Sequence, residues 1–171
     1  AYVFDATPDN LDRYAANFAF DSHGTVTGET PVDIFTGLDQ NGLPTFGVQY
    51  QSADGVNFQI RAWLTVKGEA VFTDWSLFTT DDPEDIPATT HKIEVGWASG
   101  TAAGLNLYID DVLVQSLAGD TSNSLLDLVI LGPSMGVDAS VSGSMFFDEF
   151  TSSVVDALEP VFTIFVPIIN R

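Results

Sequence analysis

Three side chains with binding chemistry alternate along the stretch NFQIRAWLTV, residues 57 to 66. Successive side chains of a β-strand point to opposite faces, so Gln59, Arg61 and Trp63 share one face and the apolar residues between them share the other. An indole ring stacks on flat apolar surfaces such as a sugar ring, and amide and guanidinium groups hydrogen-bond to hydroxyls. The spacing predicts a carbohydrate-binding set. The alternative is that Trp63 packs under a loop or against a second sheet.

The other aromatic and imidazole side chains give weaker signals. Trp97 alternates in phase with Ile93 and Val95, which predicts a core position. Trp75 shares a predicted strand face with Leu77 and does not stand out as a binding residue. His23 lies in a predicted turn and His91 at the start of a predicted strand, and both are expected at the surface.

Catalytic signatures are missing from the sequence. Asp148 and Glu149 are adjacent, so in a strand their carboxylates point to opposite faces and cannot act as a pair. Asp110 and Asp111 lie in a predicted turn. There is no HExxH sequence and no glycine-rich phosphate loop. We therefore predict that the protein is not an enzyme.

The elements that must position these residues are β-strands almost throughout. Short alternating runs are separated by Gly, Asp, Asn and Pro, and Asp54-Gly55 and Lys67-Gly68 are typical hairpin dipeptides. The longest polar loop is TTDDPEDIPATT, residues 79 to 90. A chain of 171 residues fits one domain. No apolar run approaches the roughly 18 residues of a membrane span.

The charge is strongly one-sided. Five Lys and Arg stand against 24 Asp and Glu, a formal net charge of −19. Such a field repels nucleic acid and anionic lipid, so both are excluded as expected partners. Three interpretations stay open: solubility in salty surroundings, cation binding, or a charged coat around apolar assembly contacts. The absence of cysteine excludes disulfides and cysteine metal sites.

The second half of the chain resembles a known superfamily. HKIEVGWASGTAAGLNLYIDDVLVQSLAG is followed by LLDLVILGP and then by SGSMFFDEFTSS. This order is similar to the concanavalin A-like lectin/glucanase superfamily, in its laminin-G-like branch. The resemblance covers residues 56–153 and extends to the first 55 residues only by strand pattern. It implies an all-β fold, a two-sheet antiparallel β-sandwich of concanavalin A-like jelly-roll order, over residues 1–153.

The resemblance also implies a metal site. In related branches an Asp on the closing strand helps to hold a structural Ca²⁺ together with oxygen ligands near the N-terminus. Asp148 matches that Asp, and Asp5 and Asp21 are the expected carboxylate partners. The alternative is that Asp148 accepts a hydrogen bond from a nearby backbone N–H.

Residues 154–171 follow the strand that closes the sandwich in the family pattern. We predict a connector and then an apolar C-terminal strand, VFTIFVPIINR. Neither face of this strand is polar, so it requires cover on both. It has three possible destinations: the edge of its own sheet, a sheet of a neighbouring subunit, or an export machine that recognises it as a sorting signal. The predicted assembly residues are Val161, Phe162, Ile164, Phe165, Val166, Ile168 and Ile169.

Two functional hypotheses follow. The first is a secreted, non-catalytic structural subunit that self-assembles into an extracellular filament or surface layer through its C-terminal strand. Its partners would be other copies of the chain, as a homo-oligomer or polymer. The second is a carbohydrate-binding, lectin-like or adhesion module with a polysaccharide partner.

Overall fold

The computed structural model describes residues 2–78 and 90–153. In these ranges the chain forms twelve strands: β1 (Val3–Asp5), β2 (Arg13–Asp21), β3 (Val32–Leu38), β4 (Pro44–Gln51), β5 (Phe58–Val66), β6 (Glu69–Phe72), β7 (Ser76–Phe78), β8 (Thr90–Ala98), β9 (Ala103–Ile109), β10 (Val112–Gly119), β11 (Leu128–Met135) and β12 (Phe146–Ser153). The described residues contain no helix of the length and apolarity that crossing a membrane requires.

The strands form two antiparallel sheets. The seven-stranded sheet has the order β1-β11-β3-β4-β5-β6, and β7 also pairs with β5. The five-stranded sheet has the order β10-β9-β8-β2-β12. The all-β, two-sheet antiparallel sandwich predicted from the sequence is confirmed.

The core lies between the sheets and follows the period of two that strands impose. Along β2, every second residue from Tyr14 to Phe20 is buried, and β8 buries Ile93, Val95 and Trp97 in the same way. Trp97 is 1% exposed and stacks on Phe46 of the facing sheet, with ring centres 5.2 Å apart. The predicted core position of Trp97 is confirmed.

Two of the predicted turns are two-residue hairpin turns, whereas Asp54-Gly55 lies in a longer connection between β4 and β5 in which only Gly55 of the pair has a positive φ, of 77°. Lys67 and Gly68 have φ of 53° and 86° and connect β5 to β6 through the pair Val66–Glu69. Asp110 and Asp111 have φ of 53° and 65° and connect β9 to β10. Both residues of each turn have positive φ, as two-residue hairpin turns of this hand require.

The segment AVFTDWSLF, residues 70 to 78, in which alternation gives Trp75 and Leu77 one strand face, is not one continuous strand. It forms β6 and β7, separated by Thr73, Asp74 and Trp75. Thr73 causes the break, because its backbone N–H donates to the Ala62 carbonyl while its Oγ1 accepts from the Ala62 N–H. The side chain thus replaces a backbone acceptor, and Trp75 leaves the regular ladder.

Candidate binding face of the seven-stranded sheet

Adjacent strands β4 and β5 build a polar surface on the side of the seven-stranded sheet that faces away from the core. We call this surface the outer face. The register pairs Gln51 with Gln59 and Gln49 with Arg61. Gln59 Nε2 donates to Gln51 Oε1 at 2.7 Å, and Arg61 Nε donates to Gln49 Oε1 at 2.8 Å. The first bond holds the amides of Gln51 and Gln59 together, and the second holds the amide of Gln49 against the guanidinium of Arg61.

Arg61 lies between two aromatic rings on the outer face. Its guanidinium carbon Cζ is 4.2 Å from the ring centre of Phe72 and 4.3 Å from that of Trp75. Guanidinium groups stack favourably on aromatic faces, so the two rings hold the cation in place. Burial lowers the pKa of Arg61 and the charge of Asp33 opposes this change.

Access to these groups decides whether they can bind anything. Phe72 is 43% exposed, Leu77 beside Gln59 is 67% exposed, and Trp75 is half-buried. Arg61 and Gln59 are also half-buried. Rings, amides and a cation therefore border one accessible surface.

Trp63 lies on the outer face, as predicted, but it is only 5% exposed. It pairs with Gly47, where an added Cβ would lie 2.7 Å from indole atoms Cε2 and Nε1. The indole therefore occupies the space that a side chain at position 47 would take. Its Nε1 donates to Asp33 Oδ1 at 2.6 Å. This burial leaves little of the Trp63 ring for the predicted stacking on a sugar, whereas the indole of Trp75, beside Arg61, is half-buried.

Asp33 is a carboxylate that the sequence did not single out. A register irregularity in β3 between Asp33 and Phe35 leaves Asp33 on the outer face while Ile34 is buried in the core. Burial raises the pKa of Asp33, and hydrogen bonds from Trp63 and Gln49 together with the charge of Arg61 limit the rise. Asp33 thus links the buried Trp63 to the accessible Arg61.

The side chains of Asp33, Gln49, Gln51, Phe72 and Trp75 were missed as members of this surface. For Gln49 and Gln51 a signal existed, because they alternate with apolar residues just as Gln59 and Arg61 do. For Phe72 and Trp75 no sequence signal existed, because their positions depend on the break between β6 and β7 at Thr73. Asp33 depends in the same way on an irregularity of β3.

The three predicted calcium ligands lie on different strands. Asp5 is in β1 of the seven-stranded sheet, whereas Asp21 and Asp148 are in neighbouring strands β2 and β12 of the five-stranded sheet. Each has one oxygen bonded to a nearby backbone N–H, from Thr7, His23 and Glu149 respectively. No group of three His, Asp or Glu side chains in residues 2–78 and 90–153 is close enough to hold a metal. The calcium site stays a prediction.

The two histidines have different surroundings. His23 is exposed in a turn, as predicted. The prediction that His91 lies at the surface is wrong, since it is 8% exposed and its ring is 4.6 Å from that of Phe78. His91 Nδ1 bonds to Asp110 Oδ2 at 2.6 Å. Partial burial acts to raise the pKa of Asp110, but bonds from His91 and the Lys92 amide outweigh it, so that this pKa lies below its usual range.

The predicted assembly residues, 161 to 169, lie outside the described part of the chain. The predicted domain boundary at residue 153 coincides with the last described residue. Both stay predictions.

Comparison with known proteins gives structural matches only. No protein-family model and no curated protein sequence matches the chain. A structure of an alginate lyase from Pseudomonas aeruginosa has a TM-score of 0.58 at 14% identity, over 85% of this chain and 68% of the lyase. The botulinum neurotoxin serotype D binding domain has a TM-score of 0.54 at 12% identity, over 88% and 36%. The receptor-binding domain of the C/D mosaic serotype has a TM-score of 0.54 at 13% identity, over 87% and 34%.

These matches concern the fold. The chain spans about a third of the length of the botulinum neurotoxin domains. At such identities a shared fold does not carry a shared function. The chain has the jelly-roll β-sandwich fold predicted from the sequence, and its relation to the concanavalin A-like superfamily stays what the sequence resemblance implies.

Proposed function

We propose that this protein is a non-catalytic module that binds a neutral carbohydrate chain on the outer face of the seven-stranded sheet. The observation that carries the proposal is the Arg61 guanidinium held between Phe72 and Trp75. The similarity to structures of an alginate lyase and of receptor-binding domains supports a binding role on this fold. An extracellular location, predicted from the sequence, is part of the same proposal.

The chemistry of the outer face suits sugars. A sugar ring offers an apolar C–H face to an aromatic side chain and hydroxyls to polar ones. Trp75 and Phe72 provide the rings, and the amides of Gln49, Gln51 and Gln59 provide donors and acceptors. Because cross-strand bonds and ring contacts already fix Arg61, little side-chain entropy would be lost on binding.

The negative net charge of the protein favours neutral over anionic carbohydrates as ligands. With a formal charge of −19, the protein repels polyanionic chains at distances beyond the local reach of Arg61. At physiological salt this field decays over about 8 Å, so the repulsion acts mainly on polyanionic chains that come close to the surface. A neutral polysaccharide avoids the repulsion and still uses the rings and amides.

A panel of immobilised neutral and acidic polysaccharides tests the proposal. We expect binding to a neutral member, weakened about tenfold by Trp75→Ala, which corresponds to about 1.4 kcal/mol of lost stacking and apolar contact. Val112→Ala is the matched control, because Val112 is 61% exposed on the opposite sheet. Binding that is equal in wild type and Trp75→Ala, or no binding to any member, would overturn the proposal.

A second candidate function is the self-assembling structural subunit. The observation that favours it is a run of three exposed apolar residues on an edge strand. Tyr2, Val3 and Phe4 are 60%, 69% and 62% exposed in the single chain. Exposed apolar groups of this kind mark interaction sites, and the sequence of residues 161 to 169 is apolar as well. A filament or surface layer built through the C-terminal strand is the form predicted from the sequence.

A further inference from the structure

Strand β1 presents an unusual sheet edge. It pairs with β11 on one side, and no other strand of the described residues pairs with its second side. Val3 lies opposite Leu131, whose side is packed against the core, and Phe4 lies opposite Ile130 on the other face. Val3 and Phe4 thus expose one apolar side chain on each face of β1, with Asp5 on the face of Val3. The backbone of β1 can accept a further strand.

The other edge on this side of the sandwich is protected. β12 ends the five-stranded sheet, and it carries Asp148 and Glu149 with a register irregularity that begins at Asp148. Glu149 has a φ of 53°. Charges and bulges on an edge strand discourage pairing with another chain. An apolar strand arriving here would meet Asp148 and Glu149 with a bulge at β12, but the exposed apolar Val3 and Phe4 beside a single Asp5 at β1.

The chain leaves the described structure on the side of the sandwich that carries β1. Phe18 of β2 stacks on Phe35 of β3, and Trp97 of β8 stacks on Phe46 of β4. Because β12 follows β2 at the end of its sheet, Ser153 at the end of β12 lies on the side of β11 and β1 in the facing sheet. The C-terminal end of β12 and the unpaired edge of β1 thus lie on the same lateral side of the sandwich. A connector of the seven residues 154–160 could span at most about 23 Å when extended.

We propose that the β1 edge of one copy receives residues 161–168 of a second copy, and that the exchange is reciprocal. The inference rests on the second candidate function and names its acceptor. Since the chain leaves the described structure on the side that carries the acceptor, two copies related by a two-fold axis could satisfy both at once. The product is a closed dimer, and the filament predicted from the sequence is not required.

The donor sequence complements this acceptor. In a strand, Phe162, Ile164 and Val166 share one face, and the residues between them share the other, so apolar groups meet apolar groups on both sides of β1. Pro167 has no N–H, which fits a strand whose far side stays unpaired. It would also discourage addition of a third chain, consistent with closure at two copies.

Solution mass tests the dimer. Light scattering on the full chain is expected to give twice the chain mass of 18.4 kDa. Phe4→Asp in the acceptor and Ile164→Asp in the donor are each expected to give a monomer with an unchanged strand-type circular dichroism spectrum. Leu77→Asp, at another exposed site of the same sheet, is the control and should stay dimeric. A monomeric wild type, or a dimer that survives Phe4→Asp, overturns the proposal.

Cross-linking identifies the source of the strand. Because the chain has no cysteine, Phe4→Cys and Val166→Cys can be placed in separate chains, mixed after unfolding and refolded together. A short bis-maleimide linker is expected to join the two chains into one dimer band. Linkage only within a chain that carries both changes would assign the strand to its own sheet and overturn the exchange. A ladder of larger species would overturn closure but leave self-assembly standing, and no outcome alters the test of carbohydrate binding at Trp75.

Discussion

Replacing Trp97 by alanine is expected to lower the free energy of unfolding by about 3–5 kcal/mol. The ring is 1% exposed and stacks on Phe46 at an interplanar angle of 18°, so its removal opens a cavity between the two sheets. Urea unfolding followed by circular dichroism measures the change.

Two further variants are compared with Trp97→Ala. Trp97→Phe keeps an aromatic ring and deletes an Nε1–H that has no hydrogen-bond partner among the described residues, so its cost is expected to be smaller. Trp75→Ala removes an equal number of atoms from a half-buried position and should cost less than Trp97→Ala as well. Equal losses at positions 75 and 97 would contradict the assignment of Trp97 to the core and of Trp75 to the outer face.

Replacing Trp63 by phenylalanine is expected to cost about 1–3 kcal/mol at neutral pH. The change keeps most of the apolar ring but removes the N–H that donates to Asp33 Oδ1. The Asp33 carboxylate is 6% exposed, so water cannot easily replace the lost donor. Chemical unfolding at pH 7 gives the cost.

The pH dependence of this cost has a defined sign. The Trp63 bond lowers the pKa of Asp33, which burial raises, so its loss moves that pKa further above the ordinary value. A raised pKa in the folded state favours the protonated form, and its stabilising effect is lost as pH rises through that pKa. The gap between wild type and Trp63→Phe is therefore expected to widen as pH rises from the acid range to neutrality. A gap that is constant with pH would contradict the role given to Asp33.

The strands were largely predictable from the sequence because alternation is a local property. NFQIRAWLTV assigns Gln59, Arg61 and Trp63 to one face without any knowledge of the neighbours. The same rule applied to β8 would have placed His91 inside, since it is in phase with Ile93 and Trp97. The prediction for His91 was wrong because the general tendency of histidine to lie at the surface was given more weight than the alternation of the strand.

How deeply each side chain of the outer face is buried was not predictable from alternation. Trp63 is buried because its cross-strand neighbour is Gly47 and because Asp33 accepts its N–H, and both facts depend on register. Trp75 reaches Arg61 because the Thr73 side chain interrupts a strand. Such tertiary hydrogen bonds produce no periodic pattern in the sequence. The residues on the outer face could therefore be predicted, but which of them are accessible to a ligand could not.

Nuclear magnetic resonance of the three indole N–H groups tests the binding face most directly. Each tryptophan gives one signal, and the structure places them differently: Trp75 beside Arg61, Trp63 buried against Asp33, and Trp97 in the core. On titration with the bound neutral polysaccharide, we expect the Trp75 signal and the Arg61 Nε–H signal to move and the Trp97 signal to stay. Unchanged Trp75 and Arg61 signals, with shifts confined to the five-stranded sheet, would contradict the account.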